Sequence, residues 1–234
     1  MRRSVPALWS FNGGYVDTAG FLALHGLFTS HVTGNFVTFG AAIAQGTSGV
    51  IAKLLALPVF CVVIVLTRTL AHRLPSPGRP ALQSAIVLKI LLLSSAAAFA
   101  IAWGPFANGD APTTLITGMT LVAAMAIQNA ANRIYLPDSP PSTIMTATST
   151  QLMIDLADLW TGSLRPEARG VVVARLRKMC VAVASFVLGC GVAALIFVQV
   201  EMKVFLLPPL IAVMSLIAVV LSGKEDRKGL GQPS

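Results

Sequence analysis

Six apolar stretches, each long enough to cross a lipid bilayer as a helix, constrain this chain more than any other feature. A helix needs about 20 mostly apolar residues to span the hydrocarbon layer. The runs lack the strict alternation that a membrane-spanning strand requires, so we predict an all-α integral membrane protein. The six predicted transmembrane helices cover residues 5–25, 51–72, 82–103, 113–134, 172–198 and 203–222.

The composition agrees with a membrane protein and argues against other classes. Only 11% of the residues are charged, whereas a soluble domain has about a quarter. The net charge of +8 would suit nucleic acid, but the basic residues cluster at the ends of apolar runs. No patch of aromatic and basic residues accompanies them. We therefore expect the lipid bilayer as a partner and no nucleic acid.

No pattern in the chain indicates a metal, a cofactor or an enzyme. Cys61, Cys180 and Cys190 lie singly inside apolar runs, and His25 and His31 do not share a ligand spacing on a helix. The chain has no G-x-S-x-G, H-E-x-x-H, P-loop or dinucleotide fingerprint. Glycine and aspartate follow the basic start too soon for a signal-peptide core, so we expect the first helix to be retained.

Two further stretches, residues 29–46 and 142–160, are helical in part but rich in polar residues. Asp155 and Asp158 in the second stretch would each cost about 2.5–3.5 kcal/mol at the centre of a lipid-facing helix. Each stretch either spans as a poor helix or enters the membrane and returns as a broken, re-entrant half-helix covered by protein. The distribution of basic residues separates these alternatives.

Six spans with two re-entrant half-helices put fourteen basic residues on one side and only Lys53 and Lys203 on the other. Lys89, inside a span, is expected to snorkel towards the basic end of its helix. If both polar stretches crossed, the count would be eleven against five. Because basic residues mark the cytoplasmic side, we predict six spans with both termini in the cytoplasm. The fourteen are Arg2, Arg3, Arg68, Arg73, Arg79, Arg133, Arg165, Arg169, Arg175, Arg177, Lys178, Lys224, Arg227 and Lys228.

The order of segments also predicts an internal repeat. Residues 1–104 and 105–223 would each contain a helix, a re-entrant stretch and two helices, followed by a cytoplasmic tail at 224–234. Three crossings per half invert the second half relative to the first, which is the inverted 3+3 plan of many transporters. At an offset of 113 residues, 32–35 lies over 145–148 with few identities, so segment order carries this prediction.

Two motifs resemble one known family. The segments are VDTAGFLALHGLFTSHVTGNFVTFG at 16–40, and AMAIQNAANRIY followed by STIMTATSTQL at 124–135 and 142–152. They resemble the paired signatures of the YoaK family of bacterial multi-pass membrane proteins of unknown function. The chain departs from the second signature at Ala147, where the family usually has glycine. The resemblance implies a polytopic membrane protein and supplies no substrate or reaction.

The candidate site residues of the first half surround its polar stretch. Asp17 shares a helical face with Gly13, Gly20 and Leu24, where small residues would let another helix approach. Its carboxylate is either a functional group or a structural acceptor for hydroxyl and N–H groups. Beyond it, Gly34 permits a broken helix, and Thr33 and Asn35 are candidate caps of the half-helix that follows. With His31, they either line an anion site at that helix N-terminus or only cap it.

The candidates of the second half are amides and hydroxyls. Gln128, Asn129 and Asn132 lie on one helical face and either line a wet pathway or join helices by hydrogen bonds. The hydroxyls of Thr146 and Thr148 either bind a ligand or satisfy the backbone. Asp155 and Asp158 form either a proton or cation site or, as we favour, a pair facing Arg165 and Arg169.

These features favour a small-solute transporter or channel in the bacterial inner (cytoplasmic) membrane, with a polar site at the repeat interface. The alternative is a membrane scaffold or regulatory protein that transports nothing. We do not expect an enzyme. The solute and the oligomeric state are not indicated by the sequence.

Overall fold

A computed structural model of the chain describes residues 4–73 and 79–229. The described residues form α-helices and one short 3₁₀ helix, Glu201–Leu206, without any strand. The predicted all-α fold class is confirmed. The helices are α1 Ser4–Ala23, α2 Gly34–Gln45, α3 Val50–Arg73, α4 Arg79–Trp103, α5 Pro112–Tyr135, α6 Met145–Thr161, α7 Pro166–Val200 and α8 Leu207–Gly229.

The helices coincide with the predicted segments. The six apolar runs correspond to α1, α3, α4, α5, α7 and α8, and the two polar stretches contain the shorter helices α2 and α6. Both short helices end at a glycine in the left-handed conformation, Gly46 with φ 65° and Gly162 with φ 69°. Such a glycine ends a helix because a side chain disfavours that conformation. Helix α8 continues into the predicted tail, of which residues 230–234 lie outside the described part, as do Arg2 and Arg3.

Four stretches among the described residues are long and apolar enough to cross a membrane. They are Val50–Ala71, Pro80–Trp103, Pro112–Tyr135 and Pro166–Ser222. The last has 57 residues and contains both α7 and α8, which the 3₁₀ helix separates. Helix α1, which carries Asn12 and Asp17, is not among the four. Hydropathy and length thus support a membrane protein, while the number of crossings stays a prediction.

Helices α1 and α5 lie at the centre of the bundle. Helix α1 packs against α7 and α8, and α5 packs against α3 and α4; α4 also contacts α8. The short helices are peripheral, because α2 packs on α3 and α6 packs on α7. Each half of the chain therefore contributes a first helix that packs against the last two helices of the other half.

The closest helix pair, α1 and α7, meets through glycine. A Cβ atom added to Gly14 would overlap the carbonyl oxygen of Phe186, and one added to Gly189 would overlap that of Phe11. Small residues allow this approach of backbones, as in other membrane helix pairs. The closest approach of another helix is at Gly14, one residue after the expected Gly13, whose nearest atoms belong to Ser142, Thr143 and Gln128.

Candidate functional site

Asp17 is the anchor of the segment that follows α1. The residue is buried, with 3% of its surface exposed. Its Oδ1 accepts hydrogen bonds from the backbone N–H groups of Thr29 (2.8 Å) and Ser30 (2.6 Å) and from the Thr29 hydroxyl (3.0 Å). Its Oδ2 accepts from the Ser30 hydroxyl (2.7 Å) and lies 2.6 Å from Nδ1 of His31. Asp17 was interpreted either as a functional group or as a structural hydrogen-bond acceptor. These contacts are those of a structural acceptor.

Asn35 closes the same segment by a second, local contact. Its side-chain oxygen accepts from the backbone N–H of Phe28, and its amide nitrogen donates to the Phe28 carbonyl, both at 2.8 Å. Helix α2 begins at Gly34, as predicted. The expected side-chain cap is not formed: Thr33 occupies the N-cap position without such a bond, and Asn35 is turned towards Phe28.

The start of α2 offers no free donors to an anion. The N–H groups of residues 34, 35 and 36 already donate to the carbonyl groups of residues 31, 32 and 33. The carboxylate that accepts bonds in this region is the protein's own Asp17. His31 stays partly open, with 35% of its side chain exposed, and its ring lies edge-on to Phe186 at 5.5 Å.

The second half builds a comparable contact from neutral groups. Gln128 donates through Nε2 to the hydroxyl of Ser142 and to the carbonyl of Trp9, each at 3.0 Å. The next residue, Asn129, accepts from the Thr143 hydroxyl at 2.7 Å. The segment between α5 and α6 is thereby tied back to α5, as the segment after α1 is tied to Asp17.

The segment after α1 and the segment between α5 and α6 lie against the same face of α1. A Cβ atom added to Gly13 would lie 3.0 Å from the Ser142 carbonyl oxygen and 3.7 Å from Nε2 of Gln128. Gly13 and Asp17 are four residues apart, so their positions are neighbours on the helix surface. The structure thus places the partner segments of Asp17 and Gln128 against one face of α1. At Gly13 the small residue permits the approach of the segment before α6 and of the Gln128 side chain.

Within the described part of the structure, the side chains of Thr146, Thr148 and Asn132 make no hydrogen bond to Asp17 or Gln128. The Thr148 hydroxyl is buried and donates to the carbonyl of Ile144 (2.8 Å), which satisfies the backbone. Thr146 is exposed on α6. Asn132 is buried at 3%, and its amide nitrogen has no hydrogen-bond partner.

Lys89 occupies an unexpected place. It was expected to snorkel, but it is 1% exposed and lies inside the bundle. Its Nζ donates a hydrogen bond to Oε1 of Gln128 and lies 5.7 Å from the centre of the Trp9 ring. Snorkelling needs a path to the interface. Here the side chain points from the middle of α4 towards α1 and α5, so the path is closed.

Several buried polar atoms on the helices that contact this lysine have no hydrogen-bond partner within the described part of the structure. They are Nε1 of Trp9, Oγ of Ser10, both side-chain polar atoms of Asn12, and Nδ2 of Asn132. All belong to α1 or α5, the helices that Lys89 contacts through Trp9 and Gln128. Sequence reasoning assigned Lys89 to snorkelling and did not single out Trp9 or Asn12. A signal was present, since an ionisable residue in the middle of an apolar helix is a functional candidate by default.

Asp155 pairs with an arginine of α7, Arg175, instead of the expected Arg165 or Arg169. The carboxylate accepts from Nε of Arg175 (2.7 Å) and from its Nη2 (2.6 Å), and Gln151 donates to it at 2.8 Å. The side chain of Asp155 is 1% exposed and that of Arg175 is 50% exposed. Asp158 instead accepts a longer bond from Ser163, at 3.4 Å. The predicted partners Arg165 and Arg169 are therefore wrong.

Asp110 joins two loops at the start of α3. Its carboxylate accepts from the N–H groups of Gly49 and Ile51 (both 2.8 Å), Val50 (3.2 Å) and Ala52 (3.4 Å). Burial raises the pKa of this carboxyl group, but the four N–H donors outweigh burial and hold the pKa below its usual value. A carboxylate here also suits the positive end of the helix dipole.

The sequence matches one family over most of its length. A family model described as "Protein of unknown function (DUF1275)" matches residues 5–220. The chain belongs to this family. It is also 28% identical over 158 residues to the "UPF0700 transmembrane protein YoaK" of Bacillus subtilis (strain 168), covering 67% of this chain and 68% of that protein. The resemblance to the YoaK family is confirmed by these matches. No solved structure matches the chain.

The similarity to the Bacillus protein and the apolar helices both support a membrane protein. The printed name of the Bacillus relative describes a transmembrane protein, in agreement with the apolar helices of this chain. Within the described part of the structure, no three His, Cys, Asp or Glu side chains are grouped as metal ligands would be. The polar centre, formed by the buried Lys89 and Gln128, is the candidate site that we consider further because it holds a buried lysine bonded to a neutral amide.

Proposed function

We propose that the chain crosses the membrane six times, with α2 and α6 as re-entrant half-helices. Support comes from the depth at which each connecting segment returns. Ser30 contacts Asp17, six residues before the end of α1, which is about 9 Å along the helix. Ser142 contacts Gln128, seven residues before the end of α5, which is about 10 Å. Each short helix then begins part-way down the preceding helix.

The packing of helices supports an inverted repeat. If α1, α2, α3 and α4 are exchanged with α5, α6, α7 and α8, in that order, each contact between these helices should map onto another contact or onto itself. The α1–α7 contact then corresponds to α5–α3, and the α2–α3 contact corresponds to α6–α7. The exchange also turns α1–α8 into α5–α4, while α4–α8 and α1–α5 remain themselves. All of these contacts are present. A two-fold axis in the membrane plane relating residues 1–104 to 105–223 accounts for this pattern.

The re-entrant arrangement is compatible with lipid because the irregular backbone is covered. Leu27, Thr29 and Ser30 of the first connecting segment are buried, as are Ser142 and Thr143 of the second. Non-helical backbone at membrane depth is tolerated where protein surrounds it. The half-helices themselves present apolar side chains outward, such as Val37 on α2 and Ile154 on α6.

The function that this geometry supports best is transport of a small solute, by a transporter or channel in the bacterial inner membrane with both termini cytoplasmic. The observation that carries the proposal is the position of Gln128. It belongs to the second half, and its side chain bonds to Trp9 and Lys89 of the first half. A polar centre where the two halves meet is the usual place of a transporter's binding site.

A membrane scaffold or regulatory protein is the second candidate. It is favoured by the internal satisfaction of Asp17, Asn35 and Asn129, whose side chains bond to neighbouring segments. A protein that only holds a partner needs such rigidity and no route for a solute. Flux measurements separate the two candidates.

Topology is tested with two single cysteines at equivalent places, Thr47→Cys after Gly46 and Ser163→Cys after Gly162. Both positions are exposed, and the background lacks Cys61, Cys180 and Cys190. With six spans, an impermeant thiol reagent labels position 47 only from outside and position 163 only from the cytoplasm. If α2 and α6 each cross, both positions label from the cytoplasm, and the inverted repeat is wrong.

Transport is tested with the purified protein in proteoliposomes. We expect uptake above that of protein-free vesicles for at least one of three probes: glycerol, methylammonium and acetate. Gln128→Leu, which removes the contact between the halves, should abolish that uptake. Asn108→Ala in an outer loop is the control and should retain it. Uptake of none of the probes by folded protein would favour the scaffold.

A further inference from the structure

Lys89 places a cation at the middle of the bundle without a charged partner. It lies ten residues after the start of α4, about 15 Å along a helix of 25 residues. Its one hydrogen-bond acceptor is the neutral amide of Gln128. Among the described residues the ion pairs are those of His31 with Asp17 and of Arg175 with Asp155, so no carboxylate faces Lys89.

An unpaired buried cation is costly. The effective penalty for taking an ion out of water is several kcal/mol in real proteins. Trp9 offsets part of it, because its ring face attracts a cation within about 6 Å. Inside membranes, such charges are paired or serve a function. A negative charge from a ligand would complete the compensation at this place.

The unpartnered polar atoms on α1 and α5, the helices that Lys89 contacts, are mostly donors, which also suits a negative ligand. Trp9 offers Nε1–H, and Asn12 and Asn132 offer amide N–H groups. Asn12 is three residues after Trp9, and Asn132 is four residues after Gln128, so each pair shares a helical face. Trp9 and Asn12 are at most 1% exposed, and Asn132 is 3% exposed. Buried polar groups of this kind normally have a partner.

We infer that Lys89, with the donors of Trp9, Asn12 and Asn132, binds a small monovalent anion, and that this is the class of solute carried. The inference rests on the proposed transport function. A single positive charge is balanced by a single negative charge. The small side chain of Ala131, which belongs to the same buried cluster as Trp9, is compatible with a small ligand. A carboxylate and an inorganic monoanion share this chemistry.

Binding is measured with Trp9 as the reporter, in detergent-solubilised protein carrying Trp103→Phe and Trp160→Phe. Trp9 is then the sole tryptophan, because the chain has three. Sodium formate, acetate, chloride and nitrate are titrated at constant ionic strength set with sodium sulfate. We expect a saturable change in Trp9 fluorescence with at least one of them. A response to formate and acetate alone identifies a carboxylate ligand, and a response to chloride or nitrate an inorganic one.

Lys89→Met should remove the saturable response, and Lys53→Met is the matched control. Lys53 is also a buried lysine, 3% exposed, near the start of α3 and away from Trp9. The control should bind as the parent does. If Lys89→Met does not fold, Asn12→Leu replaces it. Because the Asn12 side chain has no hydrogen-bond partner among the described residues, its replacement should preserve the melting temperature while weakening binding about 5- to 10-fold.

The inference is overturned if no monoanion gives a saturable response in the folded parent, or if Lys89→Met and Asn12→Leu respond as the parent does. Transport has a separate readout. The anion that binds is tested for uptake into proteoliposomes: binding without uptake retains the anion site and overturns the transporter. Uptake of glycerol or methylammonium without anion binding retains the transporter and overturns the anion site.

Discussion

Thr29 donates two hydrogen bonds to one carboxylate oxygen of Asp17, from its backbone N–H at 2.8 Å and from its hydroxyl at 3.0 Å. The segment after α1 is therefore held by a charge, which makes hydrogen bonds about twice as strong as neutral ones. Gln128 and Asn129 hold the corresponding segment after α5 with neutral amides. In both halves a residue of the first helix bonds to the connecting segment that follows it. The bonds end on a carboxylate in the first half and involve neutral amides in the second.

Asp17→Ala should destabilise the protein strongly. The change leaves the buried N–H groups of Thr29 and Ser30 and two hydroxyls without their acceptor. We expect a loss of about 3–5 kcal/mol in the free energy of unfolding, measured by denaturation in micelles. Asp17→Asn keeps one acceptor oxygen and should lose less than half as much. Equal stability of Asp17→Ala and the parent would contradict the role of Asp17 as anchor.

This contact pattern revises one expectation about function. From the sequence, alanine at Asp17 would be expected to stop flux while the fold stays intact. Because five hydrogen bonds end on Asp17, we expect its removal to destabilise the fold, so a loss of flux in Asp17→Ala would not identify a transport residue. Asn12, whose side chain has no hydrogen-bond partner among the described residues, is a better site for separating the two effects.

How far the sequence predicts the structure depends on the separation of the residues in contact. The helices follow from local runs of apolar residues, and the contacts of Asp17 with residues 29–31 span only 12–14 positions within one motif. The polar centre joins Gln128 to Lys89 at a separation of 39 and to Trp9 at 119. Helical spacing shows which residues share a face, but it does not show which helices those faces meet.

The second error of the sequence analysis concerned which turn of α7 lies beside Asp155. Arg165 and Arg169 are nearer to Asp155 in sequence than Arg175, yet Arg175 makes the contact. Helix α7 starts only at Pro166, after the turn at Gly162, so the antiparallel return brings a later turn of α7 beside Asp155. Nearness in sequence correctly indicated that Asp155 would face the basic first part of α7. It did not indicate which turn of α7 would lie beside Asp155.

Gly189→Ala should separate α1 from α7. The new methyl group would overlap the Phe11 carbonyl oxygen, which is backbone and cannot turn away. We expect a loss of about 1–3 kcal/mol, seen as a lower melting temperature in micelles. Gly191→Ala is the matched control on the same helix, since no atom lies within 4 Å of its added Cβ. It should be neutral or stabilise by up to about 1 kcal/mol. A similar effect of both changes would contradict the close glycine contact.

Stability should depend on Asp110 in a pH-dependent way. The pKa of Asp110 is lower in the folded protein than its usual value, because four N–H groups at the start of α3 outweigh the opposing effect of burial. A depressed folded pKa contributes stability above the unfolded pKa of about 4, and this contribution is lost as the pH falls through the folded pKa. Asp110→Asn should therefore lower stability by about 1 kcal/mol at pH 7. The difference from the parent should shrink below about pH 4; a constant difference from pH 7 to pH 3 would exclude this mechanism.

The Asp155–Arg175 pair should show strong coupling in a double-mutant cycle. Arg175 binds with two nitrogens to a carboxylate that is 1% exposed, so loss of the arginine leaves a buried charge without its partner. We expect Asp155→Asn and Arg175→Met to destabilise singly, and the double change to cost less than their sum by about 1–3 kcal/mol. Asp158→Asn, which affects one bond of 3.4 Å to Ser163, is the control and should change stability by less than about 0.5 kcal/mol. Additive effects of Asp155→Asn and Arg175→Met on the unfolding free energy would show that the pair does not hold α6 to α7.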